Sequence, residues 1–361
     1  MERRVTRFPL LLPEGEAYQY EVENLTKCCT NTEDLRYWVE HFLLASTSVT
    51  RYALEANHFL RASGAAALPE GAAQQAAARF VLEWERWSAG LQRPVSVWEL
   101  CLERERLLRE VGFSDAYAHV KHNENKAALC LLPALLRELD AMNDEDRLQT
   151  LFEGVFAGNI FDLGDGGGAA DFLRCRDKLP PRPWFVDDFT AIKQRFADNT
   201  LAPYRKGILF VDNAGTDVVL GMVPLVRELL RRGTNVVLSA NSTPALNDIT
   251  HPELVQVMDQ VALVDTILAD AVRDGRLKLV ASGNGCPLID LGQVSVELAE
   301  EADSADLVIL EGMGRALQSN HSARFKCDVM KLAMVKDAHV AEKLGCPLMA
   351  CFCRFEQLPG K

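Results

Sequence analysis

Several sequence patterns that define common functional classes are missing from this chain of 361 residues. None of the ten cysteines belongs to a CxxC pair, which argues against a zinc ribbon or a thioredoxin-type site. The glycine-rich stretches at 164–168 and 283–287 match neither the dinucleotide fingerprint nor the P-loop. The histidines form no pair at metal-ligand spacing, and no GxSxG elbow of a serine hydrolase occurs. Any chemistry must therefore rest on other groups.

The chain also lacks an excess of positive charge and any long apolar run. Its 39 Lys and Arg face 51 Asp and Glu, a net charge of −12, which argues against a nucleic-acid surface and against an anionic membrane. No stretch approaches the roughly 18 apolar residues of a membrane span, and the apolar run near the start is too short for a secretory signal. The adjacent Cys28 and Cys29 indicate a reducing compartment, so we expect a cytoplasmic protein.

Two kinds of periodicity divide the chain. Apolar residues recur at helical spacing from residue 32 to residue 158, behind a lead-in with little periodicity. From residue 206 onward, short apolar runs alternate with amphipathic helices, which is typical of parallel strands covered on both faces. We therefore predict an α/β fold, a doubly wound, Rossmann-like and mostly parallel sheet with helices on both faces, preceded by an all-helical domain. The expected domains are 1–180 and 181–361.

Polar residues stand where three of the predicted strands end. Asp212 and Asn213 follow the first strand, Ser239 and Asn241 end the second with Asp248 in the loop behind it, and Glu311 ends a later one. Ligands bind beyond the carboxyl ends of parallel strands. Oxygen donors without His or Cys suit a hard divalent ion. Helix capping is the alternative for Asp212 and Asn213, but the convergence with the other two carboxylates favours a metal site.

Candidate anion-binding groups follow the later strands. Gly314 lies in a GMGR segment directly after a strand, where backbone N–H groups could approach an anion. Lys336 has apolar neighbours, which places it at the mouth of a buried strand, and Lys331 is the second candidate.

The helical half contributes two polar stretches. Glu124 and Asn125 stand just before an apolar helix, and Asn159 and Asp162 stand where a helix ends. From the residues alone, helix capping is the favoured interpretation of both stretches. Capping is also the expected role of Asp217.

The order of these motifs is specific even though each alone is weak. The segments KHNENKAAL, AGNIFD, FVDNAGTD, LSANSTPALND, ILEGMGRA and KLAMVKDAHVA together resemble the metal-dependent damage-control phosphatases, long labelled domain of unknown function 89. The resemblance spans nearly the whole chain. It is nearest to the phosphatase domains that accompany a pantothenate kinase domain and remove phosphate from 4′-phosphopantetheine and its oxidised or related forms.

This resemblance implies a function and a set of site residues. The metal ligands would be Asp212, Asn213 and Asp248, holding Mn²⁺, Co²⁺, Ni²⁺ or Mg²⁺. Lys336 would bind phosphate, although the Arg-Thr-x-Lys segment of other branches reads Met-Val-Lys here. The remaining residues that match the family's motifs would border the site and bind the small phosphomonoester substrate; they are Asn159, Asp162, Glu124 and Asn125. Fusion to a pantothenate kinase-like domain is implied, and assembly into a homo-oligomer is left open.

The expected mechanism is attack of water on phosphorus, with the charge on the phosphoryl oxygens stabilised by Lys336 and by backbone N–H groups near Ser239–Ser242. Asp212 as a covalent nucleophile is the alternative, but Ala214 stands where an assisting second Asp would be expected. Two other classes remain open. One is an S-adenosylmethionine-dependent carboxyl methyltransferase, which would need a glycine-rich loop after the first strand and an acidic end to the second, and DNAG and LSAN match these poorly. The other is a catalytically silent regulatory domain.

Overall fold

The computed structural model describes residues 4–12, 32–93, 95–160, 168–198 and 200–358, without the side chains of residues 32, 33 and 168–171. Its first part is helical, as expected. The helices are α1 (Thr32–Ala62), α2 (Glu70–Ala89), α3 (Val97–Val111), α4 (Ala118–Asp140), α5 (Asp144–Asn159) and α6 (Gly168–Asp177). Within the described ranges, no helix combines the length and the apolar character needed to cross a bilayer.

Local signals in the sequence fix the ends of several helices. Ser96 and Glu99 form a capping box at the start of α3, and Gly112 ends this helix in the left-handed conformation. Asn143 caps α5 by accepting a hydrogen bond from the backbone of Asp146. One expectation was wrong: α4 begins at Ala118, so the KHNENK stretch lies inside the helix rather than before it.

The second part is built around a seven-stranded sheet, which confirms the predicted fold class. The strands of the chain, in order, are β1 (Val5–Thr6), β2 (Val186–Asp187), β3 (Lys206–Phe210), β4 (Asn235–Ala240), β5 (Leu277–Ala281), β6 (Val294–Ser295), β7 (Leu307–Glu311), β8 (Asp328–Met334) and β9 (Cys351–Glu356). The sheet order is β2-β9-β8-β7-β3-β4-β5, and all neighbours are parallel except β8 and β9. The short β1 and β6 pair separately as antiparallel strands.

Helices and irregular turns connect the strands. The remaining helices are α7 (Phe189–Ala197), α8 (Val223–Arg231), α9 (His251–Val261), α10 (Thr266–Arg273), α11 (Val296–Ala302) and α12 (Ala338–Leu344). Two π-helical turns, Asp217–Met222 and Met313–Gln318, come shortly after β3 and β7. Such turns are rare and recur at functional sites. Both lie at the edge of the sheet where the predicted site residues collect.

The described part of the lead-in belongs to the packed core. Phe8 is fully buried, and its ring packs edge-to-face on that of Phe210 at 5.6 Å between centroids. The backbone N–H of Phe8 donates to Leu291 O. This part of the chain therefore covers the sheet rather than merely preceding it.

Candidate metal and phosphate site

Three buried carboxylates meet beyond the ends of neighbouring strands. Asp212 follows β3, Glu311 ends the adjacent parallel strand β7, and Asp217 begins the first π-helical turn. One oxygen of each lies within 4.8 Å of the others, and the residues are 7%, 0% and 1% exposed, respectively. We call these three residues the carboxylate cluster. Its compactness follows from the parallel pairing, which aligns the carboxyl ends of β3 and β7.

Asn159, the last residue of α5, joins the cluster from the helical part. Its Nδ2 lies 2.8 Å from Glu311 Oε1, 3.0 Å from Asp217 Oδ2 and 3.2 Å from Asp212 Oδ2. The close approach of α5 depends on Gly158, since a Cβ there would lie 2.9 Å from the Cα of Asp217. Asn159 Oδ1 and Asp217 Oδ1 are buried without a hydrogen bond. Buried oxygens of this kind are normally satisfied, so the cluster has unused acceptor capacity of the type that hard cations need.

The buried Arg315 supplies positive charge beside the cluster. The Arg315 guanidinium, which is 1% exposed, forms ion pairs with Asp212 and, at 2.8 Å, with Asp248. It also donates to Asn241 Oδ1 at 3.1 Å and to Pro287 O at 3.2 Å. Arg315 therefore ties the end of β3 to the loop behind β4.

Burial and mutual repulsion raise the pKa values of the carboxyl groups in this region, which favours their protonated forms. Burial, followed by the charge of Asp212, raises the pKa of Asp217 to about 6. Burial likewise raises the pKa of Asp248 to about 7, against the opposing effect of Arg315. Burial and the neighbouring carboxylates hold the pKa of Glu311 well above its ordinary value. A bound cation would favour the charged forms of these groups.

Asn213 and Asp248, the other two predicted metal ligands, lie beside Asp212. The Asn213 backbone N–H and Nδ2 both donate to Asp217 Oδ2, at 3.1 and 2.8 Å. Because the amide nitrogen points toward Asp217, the amide oxygen is left for another partner. Asp248 accepts a hydrogen bond from Asn241 Nδ2 at 2.9 Å, and its backbone forms an isolated antiparallel bridge with Asn213.

The Ser239 hydroxyl and the backbone amides that follow it differ in whether they already have a hydrogen-bond partner. The Ser239 Oγ is buried without a hydrogen bond. The backbone N–H groups of Asn241 and Ser242 donate to Ile249 O and Asn284 O, respectively. The expectation that these amides stabilise a phosphoryl oxygen was therefore wrong, because the turn itself uses them.

Of the two candidate lysines, the structure brings Lys336 to the site. Lys336 is half-buried in the loop after β8, and its charge opposes the rise in the pKa of Asp217 and Glu311. The next residue, Asp337, accepts hydrogen bonds from the Tyr37 hydroxyl of α1 at 2.8 Å and from Val340 N at 2.9 Å. This anchors the loop to both parts of the protein.

Lys331 is held elsewhere. Its Nζ donates to His321 O at 2.9 Å, to Ala323 O at 2.8 Å and to Glu356 Oε1 at 3.1 Å. None of these partners belongs to the carboxylate cluster. Lys331 is the middle residue of β8, so its side chain does not lie at the strand end where the site residues collect.

The helical part contacts the loop after β3 through its polar residues. Asn125 Oδ1 accepts a hydrogen bond from Gly215 N at 2.7 Å. Glu124 packs against the same glycine, whose φ is +80°, and a Cβ there would lie 2.6 Å from the Glu124 Cβ. Burial raises the pKa of Glu124. Asp162 lies outside the described residues.

A cavity of about 420 Å³ opens onto this edge of the sheet. One wall carries Asp212, Asn213, Asp248, Gly314 and Lys336. The surface that α1 and α3 contribute is largely apolar. Its lining residues include Trp38, Phe42, Val49, Tyr52, Val97, Cys101 and Arg104. A cavity of this size, with a polar end and an apolar wall, fits a small molecule with an anionic head and an organic tail.

Sequence reasoning missed the roles of two residues. Asp217 was expected to cap a helix, but its carboxylate accepts from Asn159 and Asn213 inside the cluster. Arg315 was seen only as the end of a glycine-rich turn. The available signal was its position four residues after Glu311, behind a strand that already ends in a carboxylate. Gly314 faces Pro287 O, which a Cβ would approach to 2.5 Å, so this glycine serves packing of the turn.

Comparison with known proteins gives a consistent result. The model of the damage-control phosphatase ARMT1-like domain matches residues 46–352. A damage-control phosphatase of Arabidopsis thaliana is 43% identical over 267 residues, which are 72% of this chain and 72% of that protein. The mouse 4′-phosphopantetheine phosphatase is 32% identical, with 99% of this chain matching 49% of that protein. Pantothenate kinase 2 of rice is 48% identical over 71% of this chain, which is 32% of the length of that kinase.

A solved structure shares the fold. The DUF89 family protein of Pyrococcus horikoshii superposes with a TM-score of 0.64, covering 90% of this chain and 97% of that chain at 15% identity. The helical part and the sheet therefore occur together in that protein as well.

Proposed function

This chain belongs to the damage-control phosphatase ARMT1-like domain family, and from that premise we propose that it is a metal-dependent phosphatase acting on small phosphomonoesters. The proposed substrates are 4′-phosphopantetheine and its oxidised or related forms. The observation that carries the proposal is the wall of Asp212, Asn213 and Asp248 beside Lys336, facing an apolar cavity. The names of the mouse and Arabidopsis relatives support the substrate class and the reaction.

Two sets of oxygen donors share Asp212. We propose that Asp212, Asn213 and Asp248 hold the ion, because all three line the cavity through which substrate arrives. Asp217 and Glu311 lie behind Asp212 and are covered by Asn159. A catalytic ion needs a position open to substrate, so we assign these two carboxylates and Asn159 to positioning Asp212 and Asn213. A divalent ion in the open set would supply Lewis-acid chemistry for phosphoryl transfer.

The surrounding residues support hydrolysis by water. Both carboxylate oxygens of Asp212 accept hydrogen bonds, from Arg315 on one side and from Asn159 and Asn213 on the other. A carboxylate used in this way is a poor nucleophile, which favours water over a covalent aspartyl phosphate. Lys336 places a cation at the same mouth, where it would bind a phosphoryl oxygen and orient phosphorus toward the attacking water.

The test is phosphate release from 4′-phosphopantetheine in the presence of Mg²⁺, Mn²⁺, Co²⁺ or Ni²⁺. We expect at least one metal to stimulate release and Asp212→Ala to abolish it. Asp265→Asn is the matched control, because Asp265 is a buried carboxylate that pairs with Arg227 and caps α10 away from the cavity. Phosphate release without metal, or full phosphate release by Asp212→Ala, would contradict the proposed metal-dependent phosphatase function. Consumption of S-adenosylmethionine in the same assay would instead support the methyltransferase alternative.

A second comparison separates the two ligand sets. We expect Asp248→Asn to raise the metal concentration needed for half-maximal activity more than Asp217→Asn does. The reverse order would assign the ion to the carboxylate cluster. Both variants keep the volume of the side chain, so packing contributes little to the difference.

Fusion to a pantothenate kinase-like domain remains a proposal. It is supported by the rice and Arabidopsis pantothenate kinases, of which this chain matches 32% of the length. Cytoplasmic location and the identity of the physiological ion are likewise predictions.

A further inference from the structure

The hydroxyl of Tyr37 joins α1 to the loop that carries Lys336. It donates a hydrogen bond to Asp337 Oδ2 at 2.8 Å, across 300 positions of the chain. The other carboxylate oxygen of Asp337 caps α12 by accepting a hydrogen bond from Val340 N at 2.9 Å. Both oxygens of Asp337 are therefore held, one by the helical part and one by the helix that follows the loop.

Further contacts fix the ring of Tyr37 and the turn of α1 around it. The Tyr37 ring stacks on that of His339, with 4.5 Å between the centroids. Three residues earlier in α1, Asp34 lies 2.9 Å from His339 Nε2 and forms an ion pair with Lys343 at 3.0 Å. Burial and the hydrogen bond to Asp337 raise the pKa of Tyr37 to about 12, so its hydroxyl stays a donor at neutral pH.

The backbone of Lys336 makes a weaker contact than the side chain of Asp337 does. The Lys336 N–H donates to the thioether Sδ of Met313 at 3.4 Å, and sulfur is a weak acceptor. A lysine side chain is long and flexible, so the position of its ammonium group depends on how firmly the loop is held. Lys336 and Asp337 line the same cavity. Movement of Asp337 would therefore displace Lys336 within that cavity.

We propose that Tyr37 is a positioning residue, which holds the loop so that Lys336 reaches the phosphoryl group of the substrate. The inference rests on the proposed function and deepens it, since Tyr37 acts on the lysine through Asp337. Trp38, the residue next to Tyr37, lines the cavity as Asp337 does. The same turn of α1 thus forms part of the cavity wall and fixes the loop.

Tyr37→Phe tests this role, because it removes the hydroxyl and keeps the ring that stacks on His339. We expect kcat/KM for 4′-phosphopantetheine to fall about tenfold or more, since a displaced group at the reacting centre can cost roughly 100-fold. The metal concentration needed for half-maximal activity should stay unchanged, because the proposed metal ligands lie on other loops. A kcat/KM equal to that of the wild type, or a raised metal requirement, would overturn the inference.

A double-mutant cycle with Lys336→Met decides whether Tyr37 acts through the lysine. Two residues that act through one contact have non-additive effects. We therefore expect Tyr37→Phe to have little further effect on kcat/KM in the Lys336→Met protein. The same loss of kcat/KM in both backgrounds would overturn the assignment.

Tyr204→Phe is the matched control. The Tyr204 hydroxyl also donates to a carboxylate, Asp328 Oδ2 at 2.7 Å, but Asp328 begins β8 and Lys336 follows the other end of that strand. This variant should lose stability and keep kcat/KM. An equal loss of kcat/KM in both variants would assign the effect to stability and overturn the inference. If Tyr37→Phe does not fold, Asp337→Asn replaces it with the same expected loss, because Asn still caps α12 and offers Tyr37 an N–H group instead of an oxygen.

A binding measurement separates this inference from the proposed function. With Mg²⁺ present, inorganic phosphate should raise the melting temperature of the wild type and of Tyr204→Phe by the same amount, and that of Tyr37→Phe by less. No phosphate-induced increase in the wild type, or equal increases in the wild type and Tyr37→Phe, would overturn the role of Tyr37. If the increases differ as expected but the wild type releases no phosphate from 4′-phosphopantetheine with any of the four ions, the proposed function alone is contradicted.

Discussion

Asn159 donates a hydrogen bond to Glu311 at 2.8 Å, although the two residues are 152 positions apart in the chain. The same amide also reaches Asp212 and Asp217, so one neutral donor serves three buried carboxylates. We predict that Asn159→Asp, which replaces this donor by a fourth carboxylate, lowers the stability of the metal-free protein by about 3–5 kcal/mol. Added Mn²⁺ should raise the melting temperature of the variant more than that of the wild type. Differential scanning fluorimetry with and without metal measures both effects.

The control for this prediction is Asn143→Asp. Asn143 caps the other end of α5, where Asp is as good a cap as Asn. We expect no comparable loss there. A melting temperature of Asn159→Asp equal to that of the wild type would show that the cluster tolerates more negative charge than its burial implies.

Gly312, the residue after β7, allows the backbone there to pack closely against the side chain of Asp212. Its φ is +95°, and a Cβ at this position would lie 2.5 Å from the Asp212 Cγ. We predict that Gly312→Ala lowers phosphatase activity by about 100-fold or more, since a displaced site residue costs roughly that factor. Gly275→Ala is the control, because Gly275 has a similar positive φ of +73° but its Cβ position contacts nothing. This variant should lose stability without losing activity. Similar activity losses in both variants would mean that backbone strain, not the position of Asp212, is responsible.

Arg315 balances two of the proposed ligands in the absence of metal. Removing its charge leaves Asp212 and Asp248 buried without their cationic partner. We predict that Arg315→Met lowers the free energy of unfolding of the metal-free protein by about 3–5 kcal/mol, measured by urea denaturation, and that it impairs phosphate release.

Arg227→Met provides the comparison for Arg315. Arg227 also bridges two carboxylates, those of Asp140 and Asp265, but away from the cavity. It should lose stability and keep phosphate release. If both variants remain fully active, the role of Arg315 is structural alone.

The raised carboxylate pKa values predict how stability of the metal-free protein depends on pH. A carboxyl group whose pKa is higher in the folded state than in the unfolded state stabilises the fold at low pH and loses that contribution as pH rises. With folded values of about 6 for Asp217 and about 7 for Asp248, the stabilisation that these two groups contribute should fall between about pH 4 and pH 7.

Chelator-treated protein, unfolded by urea at a series of pH values, tests this pH dependence. Asp217→Asn should flatten part of the slope, because an amide does not titrate. Excess metal should reverse the trend, since binding a cation favours deprotonated ligands. The same pH dependence in Asp217→Asn and in the wild type would contradict the prediction.

The fold was predictable to the extent that local patterns decided it. The alternation of apolar runs and helices identified β3, β4 and β7, because their burial on both faces leaves a continuous apolar signal. It also identified β5, although Lys278 is exposed there. Of strand β8, only the apolar end before Lys336 was expected from the sequence, since Asp328 and Lys331 interrupt the apolar pattern of the rest. Those charges are satisfied by tertiary partners, Tyr204 and Glu356, which no local pattern reveals.

The site was predictable where chain order placed residues at strand ends. Asp212, Asn213, Asp248 and Lys336 were expected at one edge of the sheet, and they line one cavity. Their roles as ligands and phosphate contact stay predictions. Asp217 and Arg315 could not be assigned from the sequence, because π-helical turns rotate their side chains inward, and such turns leave no periodic signal.

The connection between α5 and β7 has a consequence for synthesis on the ribosome. Asn159 emerges long before Glu311, so the helical part is exposed while the acceptors of its last side chain are still untranslated. The cluster can close only after β7 has been inserted beside β3. Until then, the Asn159 amide and the carboxylates of Asp212 and Asp217 lack their partner on β7.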